Sequence, residues 1–164
     1  MDCKQKVKKD YDGSAFCYEK RYKVIQWEKY RKMIDNSLEG KILDLGCGTG
    51  SLSEFLQERI FGIDISFCML CKAQTKEIVV QGDMDFLPFK DSVFDAVLSF
   101  TALQNLPSLE YVFREVRRVL KKDHLFIFTL LKKKFSPSVI EIAQFYFDIG
   151  QKRESGEDIG FICW

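Results

Sequence analysis

A chain of 164 residues, 46% of them hydrophobic, is long enough to bury about two thirds of its unfolded surface in one core and too short for two ordinary domains. No stretch reaches the ~20 apolar residues of a membrane span, and residues 1–14 are polar and lysine-rich, without the apolar centre of a secretion signal; a cytoplasmic protein with no membrane contact is expected. The formal net charge of +1 conceals two basic blocks, residues 1–34 and 114–134, around an acidic middle, a pattern that suits RNA or another anionic partner as well as it suits solvated helix faces.

In chain order, residues 11–34 are expected to be mostly helical, with Tyr18, Tyr22, Ile25 and Trp27 available to pack or to reach over a ligand. Strands are predicted at 41–45, 60–64, 78–80, 94–100 and 125–131, and helices at 51–59, 66–75, 109–120 and 137–147. Residues 147–152 and 159–164 read as two short strands joined by the polar stretch 153–158. The alternation predicts an α/β fold: one doubly wound, mostly parallel, seven-stranded sheet with helices on both faces and a C-terminal antiparallel hairpin. A single domain spans residues 1–164, with a helical cap over 1–39, a cofactor-binding core over 40–131, and a last helix and edge hairpin over 132–164.

Local signals support several boundaries. Ser66 after a strand, with Phe67, Leu70 and Cys71 following, reads as the N-cap of an amphipathic helix. Ser136 before Pro137 has the form of an N-cap followed by a first-turn proline. Val112, Phe113, Val116 and Leu120 make one apolar helical stripe. The cysteines are expected to stay reduced, and the C-x-x-C pair Cys68 and Cys71 to be small buried residues, because no second pair exists and His124 is the only histidine.

The chemistry concentrates at strand ends. Residues 41–50 read Lys-Ile-Leu-Asp-Leu-Gly-Cys-Gly-Thr-Gly, a buried strand entering a loop whose Gly46, Gly48 and Gly50 let a ligand approach the backbone. Free N–H groups there, before a helix start, would favour a carboxylate or phosphate. Asp64, at the tip of the second strand and twenty residues after Asp44, suits bidentate acceptance of both ribose hydroxyls. Asp83 suits an adenine amino group, with the Met84 N–H donating to the ring. A nicotinamide or flavin oxidoreductase on the same sheet would need G-x-G-x-x-G, whereas the third glycine here comes one place early.

Four stretches, 43–50, 62–66, 82–89 and 94–100, resemble in order and spacing the successive motifs of class I S-adenosylmethionine (SAM)-dependent methyltransferases. The resemblance implies that S-adenosyl-L-methionine is the cofactor. It implies that Asp44 and the backbone of Gly46, Cys47, Gly48 and Gly50 hold its amino acid end, Asp64 and Ile65 the ribose, and Asp83 and Met84 the adenine. Ser99, Phe100 and Thr101 would then lie beside the methionine moiety and the acceptor, and Tyr18 and Tyr22 would close over the cofactor. The fourth-strand sequence Ser99-Phe100-Thr101-Ala102 lacks the Asn/Asp-Pro-Pro-Tyr/Phe signature of adenine and glutamine amino-methylating enzymes, and no Pro-Cys pair suggests cytosine chemistry.

Two groups remain similar over residues 82–106: small-molecule methyltransferases of the quinone-biosynthesis type, and ribosomal-RNA guanine-N7 methyltransferases that work with a small zinc-binding activator and carry a pair comparable to Leu103-Gln104. The acceptor, whether RNA, protein or small molecule, stays open at this point. So does a role as a SAM-binding regulatory subunit without catalysis.

Overall fold

The computed structural model describes residues 3–35, 38–73 and 78–164, the side chains of residues 3 and 14–21 excepted. Its elements are α1 (Cys3–Met33), β1 (Ile42–Leu45), α2 (Ser51–Leu56), β2 (Phe61–Asp64), α3 (Phe67–Ala73), β3 (Ile78–Gln81), β4 (Phe94–Phe100), α4 (Glu110–Val119), β5 (Leu120–Leu131), α5 (Pro137–Tyr146), β6 (Ile149–Ser155) and β7 (Asp158–Cys163). The strands form one seven-stranded sheet in the order β3-β2-β1-β4-β5-β7-β6. Strands β1 to β5 pair in parallel, β7 joins antiparallel to β5, and β6 pairs antiparallel to β7, which is the α/β architecture with a C-terminal hairpin expected from the alternation.

Two apolar layers sandwich the sheet, and the period of two along its strands decides which residue enters which layer. Leu43, Leu45, Val97, Phe126 and Phe128 face α4 and α5, whose Val112, Phe113, Val116, Val139 and Ala143 are buried against them. Ile42, Ala96, Leu98 and Ile127 face the other way, onto Tyr30 and Met33 of α1 and Leu52 of α2. The first layer is rich in phenylalanine: Phe113 meets Phe126 edge-on at 5.8 Å and Phe128 tilted at 5.2 Å. Such ring pairs add ~0.5–1.5 kcal/mol each beyond their buried area.

Several boundaries move from where the sequence pattern puts them. Helix α1 begins at Cys3 rather than at residue 11, so the first basic block is helical. Helix α2 stops at Leu56, three residues early, because Gln57 turns left-handed at φ 58°. Strand β5 starts at Leu120, directly from α4; Leu120 pairs with Phe94, and a bulge with Asp123 at φ 59° precedes the regular register from Leu125. The hairpin is tighter than expected, since Ser155 pairs with Asp158 around Gly156 at φ 56°. Ser66 does cap α3, its hydroxyl accepting from the Met69 N–H at 3.2 Å. Ser136 caps α5 through its carbonyl instead, which accepts from the Val139 N–H at 3.0 Å.

Cys68 and Cys71 are exposed, contrary to expectation, because α3 buries Met69, Leu70 and Ala73 on its inner face. Cys47 and Cys163 are buried, and burial pushes the Cys163 thiol pKa up to about 12. The predicted end of this helix at Thr75, the side chain of Tyr18, and those of Cys3 and Cys17 lie outside the described residues. Among the described residues no helix is long and apolar enough to cross a membrane.

A buried ion pair fastens the second half of α1 to the sheet. Lys29 Nζ lies 2.9 Å from Asp158 Oδ2 of β7, their side chains 3% and 4% exposed, and also bonds Thr101. Burial pulls the Lys29 pKa down, partly offset by the Asp158 carboxylate. Removing one member strands the other charge in low dielectric, which typically costs ~3–5 kcal/mol. Lys29→Met is therefore expected to lower unfolding free energy by about that amount in urea titrations, and adding Asp158→Leu to recover most of it; a single variant as stable as the parent would show that the pair contributes no clamp.

Candidate functional site

The chain leaves β1 for β2 on one side and returns through β4 on the other, so the carboxyl ends of β1 and β4 frame a crevice at the point where the strand order reverses. The loop after β1 bends sharply there. Gly46 sits at φ 74°, left-handed backbone that side chains resist, and a Cβ on it would lie 2.5 Å from the Cβ of Ala102. The Ile63 carbonyl of β2 accepts from the N–H groups of Gly46 at 2.8 Å and Cys47 at 3.1 Å, and the Gly50 N–H donates to the Cys47 carbonyl at 3.0 Å. These amides are therefore not left for an anion, as the sequence suggested; the tight bend uses them itself.

Asp64, at the tip of β2, is gripped from both sides. Its Oδ2 accepts from the Gly48 N–H at 3.0 Å and its Oδ1 from the Ser66 N–H at 2.8 Å. Burial raises the carboxyl pKa above its ordinary 3.8, outweighing the backbone donors of Ser66, Gly48 and Ile65. Each oxygen keeps a lone pair for a further donor.

Asp83 follows β3 and opens a turn in which its Oδ1 accepts from the Asp85 N–H at 3.0 Å. Helix α4 holds the chain beyond it: the Leu87 N–H donates to Glu115 at 2.9 Å, while Arg118 donates to the carbonyls of Leu87 at 2.9 Å and Phe89 at 2.8 Å. Hydrogen bonds from Glu115 and Asp91 raise the pKa of the Arg118 guanidinium. A charged, fully occupied guanidinium thus sets the position of Asp83 and Met84.

Helix α1 supplies the opposite wall through Lys4, Val7 and Tyr11. Lys4 Nζ donates to both oxygens of Asp83, at 2.8 and 2.6 Å, and to Asp85. Burial works to lower the Lys4 pKa, but the bonds to the two carboxylates prevail and raise it. The Asn105 amide donates to the Tyr11 hydroxyl at 3.2 Å, and burial raises that phenol's pKa. Between this wall and Gly46, Asp64, Ile65, Asp83 and Met84 remains a cavity of about 70 Å³.

Two further spaces adjoin it. One of about 30 Å³ lies beside Asp44, Cys47 and Gly48, where Gln26 Oε1 and Ser51 Oγ are buried with no hydrogen-bond partner among the described residues. The other is a groove of about 780 Å³ running between α1 and the β6–β7 turn, reaching Lys133 and Lys134. Tyr11, Thr101 and Asn105 line both the first cavity and this groove. Thr101 holds a φ of 58°, uncommon for a β-branched residue, with its hydroxyl donating to Asp158 at 2.9 Å.

Of the residues singled out from the sequence, Gly46, Gly48, Asp64, Ile65, Asp83 and Met84 line the first cavity, and Asp44 and Cys47 the small one. Gly50 does neither and serves as the N-cap of α2. Ser99 is wholly buried, its hydroxyl donating to the Leu45 carbonyl at 3.0 Å, so it ties β4 to β1 rather than facing a ligand. Tyr22, expected to close over the cofactor, faces the large groove, and Tyr11, three turns earlier on nearly the same helical face, lines the cavity beside Asp64. Lys4, Val7 and Tyr11 went unnoticed because the helix was begun at residue 11; their spacing of three and four was the available signal.

Residues 43–128 match the family model described as a methyltransferase domain. The chain is 38% identical over 136 residues to the uncharacterized protein MJ1252 of Methanocaldococcus jannaschii, covering 77% of this chain and 52% of that protein. It is 38% identical over 101 residues to a malonyl-[acyl-carrier protein] O-methyltransferase of Geobacter sulfurreducens, covering 55% of this chain and 38% of that enzyme. The chain thus spans about half, or less, of the length of these relatives. Its fold matches that of a methyltransferase solved in complex with the Haloferax volcanii Trm112 methyltransferase activator, with a TM-score of 0.75 at 16% identity over 93% of this chain and 96% of the other.

Gly46→Ala tests the bend. A side chain there adds left-handed strain of ~1–2 kcal/mol and overpacking of ~1–3 kcal/mol against Ala102. A drop of ~2–4 kcal/mol in unfolding free energy is expected, and an unchanged urea midpoint would show that the loop tolerates another path.

Proposed function

The chain belongs to the methyltransferase domain family of SAM-dependent enzymes, and on that footing we propose that it transfers the methyl group of SAM to a small acceptor seated in the groove between α1 and the β6–β7 turn. The observation that carries this reading is that Tyr11, Thr101 and Asn105 line both the cavity over Asp64 and the larger groove, so one shared wall is all that stands between the two spaces.

The residues suit the cofactor. Gln26 Oε1 and Ser51 Oγ, buried and unpaired among the described residues beside Asp44 and Cys47, match an ammonium and a carboxylate respectively. Asp64, held by the Gly48 and Ser66 amides, offers its two oxygens to the ribose hydroxyls, with Ile65 alongside. Asp83 offers an acceptor for the adenine amino group, and Met84 packs near the bare face of Gly46. In this reading Gly50 and Ser99 act on loop shape, and Tyr22 belongs to the acceptor side.

When bound, SAM supplies a methyl group on a positively charged sulfur. What the protein adds is alignment: holding two reactants in line is worth up to ~7–11 kcal/mol of barrier, and no general base is required for it. Gln104 turns its amide nitrogen to the Thr101 carbonyl at 2.5 Å and leaves a buried Oε1 without a partner, an acceptor for an N–H or O–H of the incoming molecule. Lys133 and Lys134 share the groove with Asp10, Glu28 and Glu157, so it presents both signs of charge to an acceptor. A second reading, transfer to RNA or protein with help from a small activator, is supported by the likeness to the methyltransferase solved with the Trm112 activator.

Labelled methyl from SAM, offered with the protein to a cell extract that is then fractionated, is expected in small molecules; label confined to RNA or protein would establish the second reading. For the cofactor site, Asp64→Asn should weaken S-adenosylhomocysteine binding by ~1–3 kcal/mol in calorimetry near neutral pH. Because the carboxyl pKa is raised and its charged form is the better acceptor, its contribution is present above that pKa and lost as pH falls through it, beginning above the ordinary 3.8. The parent's affinity should therefore decline as pH is lowered from neutral, starting above the range in which an ordinary carboxylate responds, while that of the Asn variant stays nearly level; parallel curves would remove Asp64 from the site.

A further inference from the structure

We infer that the first turns of α1 form a built-in lock on the cofactor site: Lys4 occupies the place of the adenine amino group, and the helix must swing out about Gly13 before SAM can enter. This inference rests on the assignment of the cavity over Asp64 to the cofactor.

Space argues first. The walls of α1 and of the strand tips leave about 70 Å³, whereas sites for ligands of SAM's size run to ~300–1,000 Å³. The shortfall comes from Lys4, Val7 and Tyr11, which fill the crevice from one helical face. Chemistry argues second. Both oxygens of Asp83 accept from Lys4 Nζ, at 2.8 and 2.6 Å, and Lys4 also bonds Asp85, whose side chain is 7% exposed. Seated against both oxygens of Asp83, the ammonium fills the space that an adenine amino group would need to reach them, so lysine and adenine exclude each other there.

The helix is built to release this end alone. Its C-terminal half is fixed by Tyr30 and Met33, 4% and 0% exposed, and by the buried Lys29–Asp158 pair. Its N-terminal end is held by exchangeable polar contacts: Lys4 to the two acids, Tyr11 to Asn105, and Asp12 to the Ser66 hydroxyl at 2.6 Å and the Cys68 N–H at 3.2 Å. Between the two lies Gly13, a helix-interior glycine with no atom of the described residues within 4 Å of the position a Cβ would take. Among the described residues no neighbour demands a glycine there, and glycine weakens a helix where it stands. A hinge accounts for it.

A closed form that excludes the ligand divides its affinity by the open fraction, so loosening the lock tightens binding and stiffening it weakens binding. The test uses S-adenosylhomocysteine as probe, by calorimetry, on the full chain and two variants. Lys4→Met is expected to bind it about 10-fold more tightly than the parent, and Gly13→Ala, which fits the space and straightens the helix, several-fold more weakly. Trypsin cleavage after the lysines preceding Gly13 should speed up when the probe is added to the parent. Lys4→Met binding no more tightly than the parent, or cleavage slowed by the probe, would overturn the lock and leave the cofactor assignment standing. If neither the parent nor Lys4→Met binds the probe, the assignment itself falls, and the lock with it.

Discussion

Strand β1 lies between β2 and β4, in parallel with both, and everything at the site descends from that placement. A strand flanked on both sides and covered on both faces has no edge to shift along, and its four residues are all buried. Its exit is consequently a fixed point. From that point the chain must turn at once to clear β4, and the left-handed Gly46, tied to the Ile63 carbonyl and pressed against Ala102, is the turn that clears it.

The two acids inherit their geometry from the same constraint. Asp64 is one strand away and accepts from Gly48 of the loop, so the bend and the carboxylate are parts of one hydrogen-bonded unit. Asp83 is a strand further out, where the sheet alone would hold it less firmly, and there α4 compensates: Glu115 and Arg118 bind three backbone groups of the segment behind it. A burial-raised carboxyl at Asp64 and a lysine-neutralised one at Asp83 give the crevice two acceptors of different character, one gripped by the backbone and one exchangeable with a side chain.

The groove has a different origin. It lies between α1 and the β6–β7 turn, elements from opposite ends of the chain, and the buried Lys29–Asp158 pair joins them at its base. An ion pair removed from water is a costly way to hold two elements together, but it is directional, and here it also orients the strained Thr101 that separates the groove from the crevice. The crevice and the groove thereby share a wall whose position depends on a single contact network.

Much of this was legible in the residues. Glycine at 46, 48 and 50, acids at 64 and 83 and the period of the apolar runs are local facts, and local facts suffice when the physics is local: a left-handed turn favours glycine, and an inward-facing strand residue is most often apolar. Family motifs named the ligand for the same reason, since they record strand tips and turns. Tertiary structure alone decided what crosses between elements. That Tyr11 rather than Tyr22 stands over Asp64 depends on where along the sheet edge α1 is set, and that Ser99 turns inward depends on β4 being covered on both faces; that Lys4 reaches across seventy-nine residues to Asp83 and that Cys71 turns outward depend on how a helix is rotated on its support. Helical rotation is set by the sum of packing along the whole face, so no short stretch of sequence carries it.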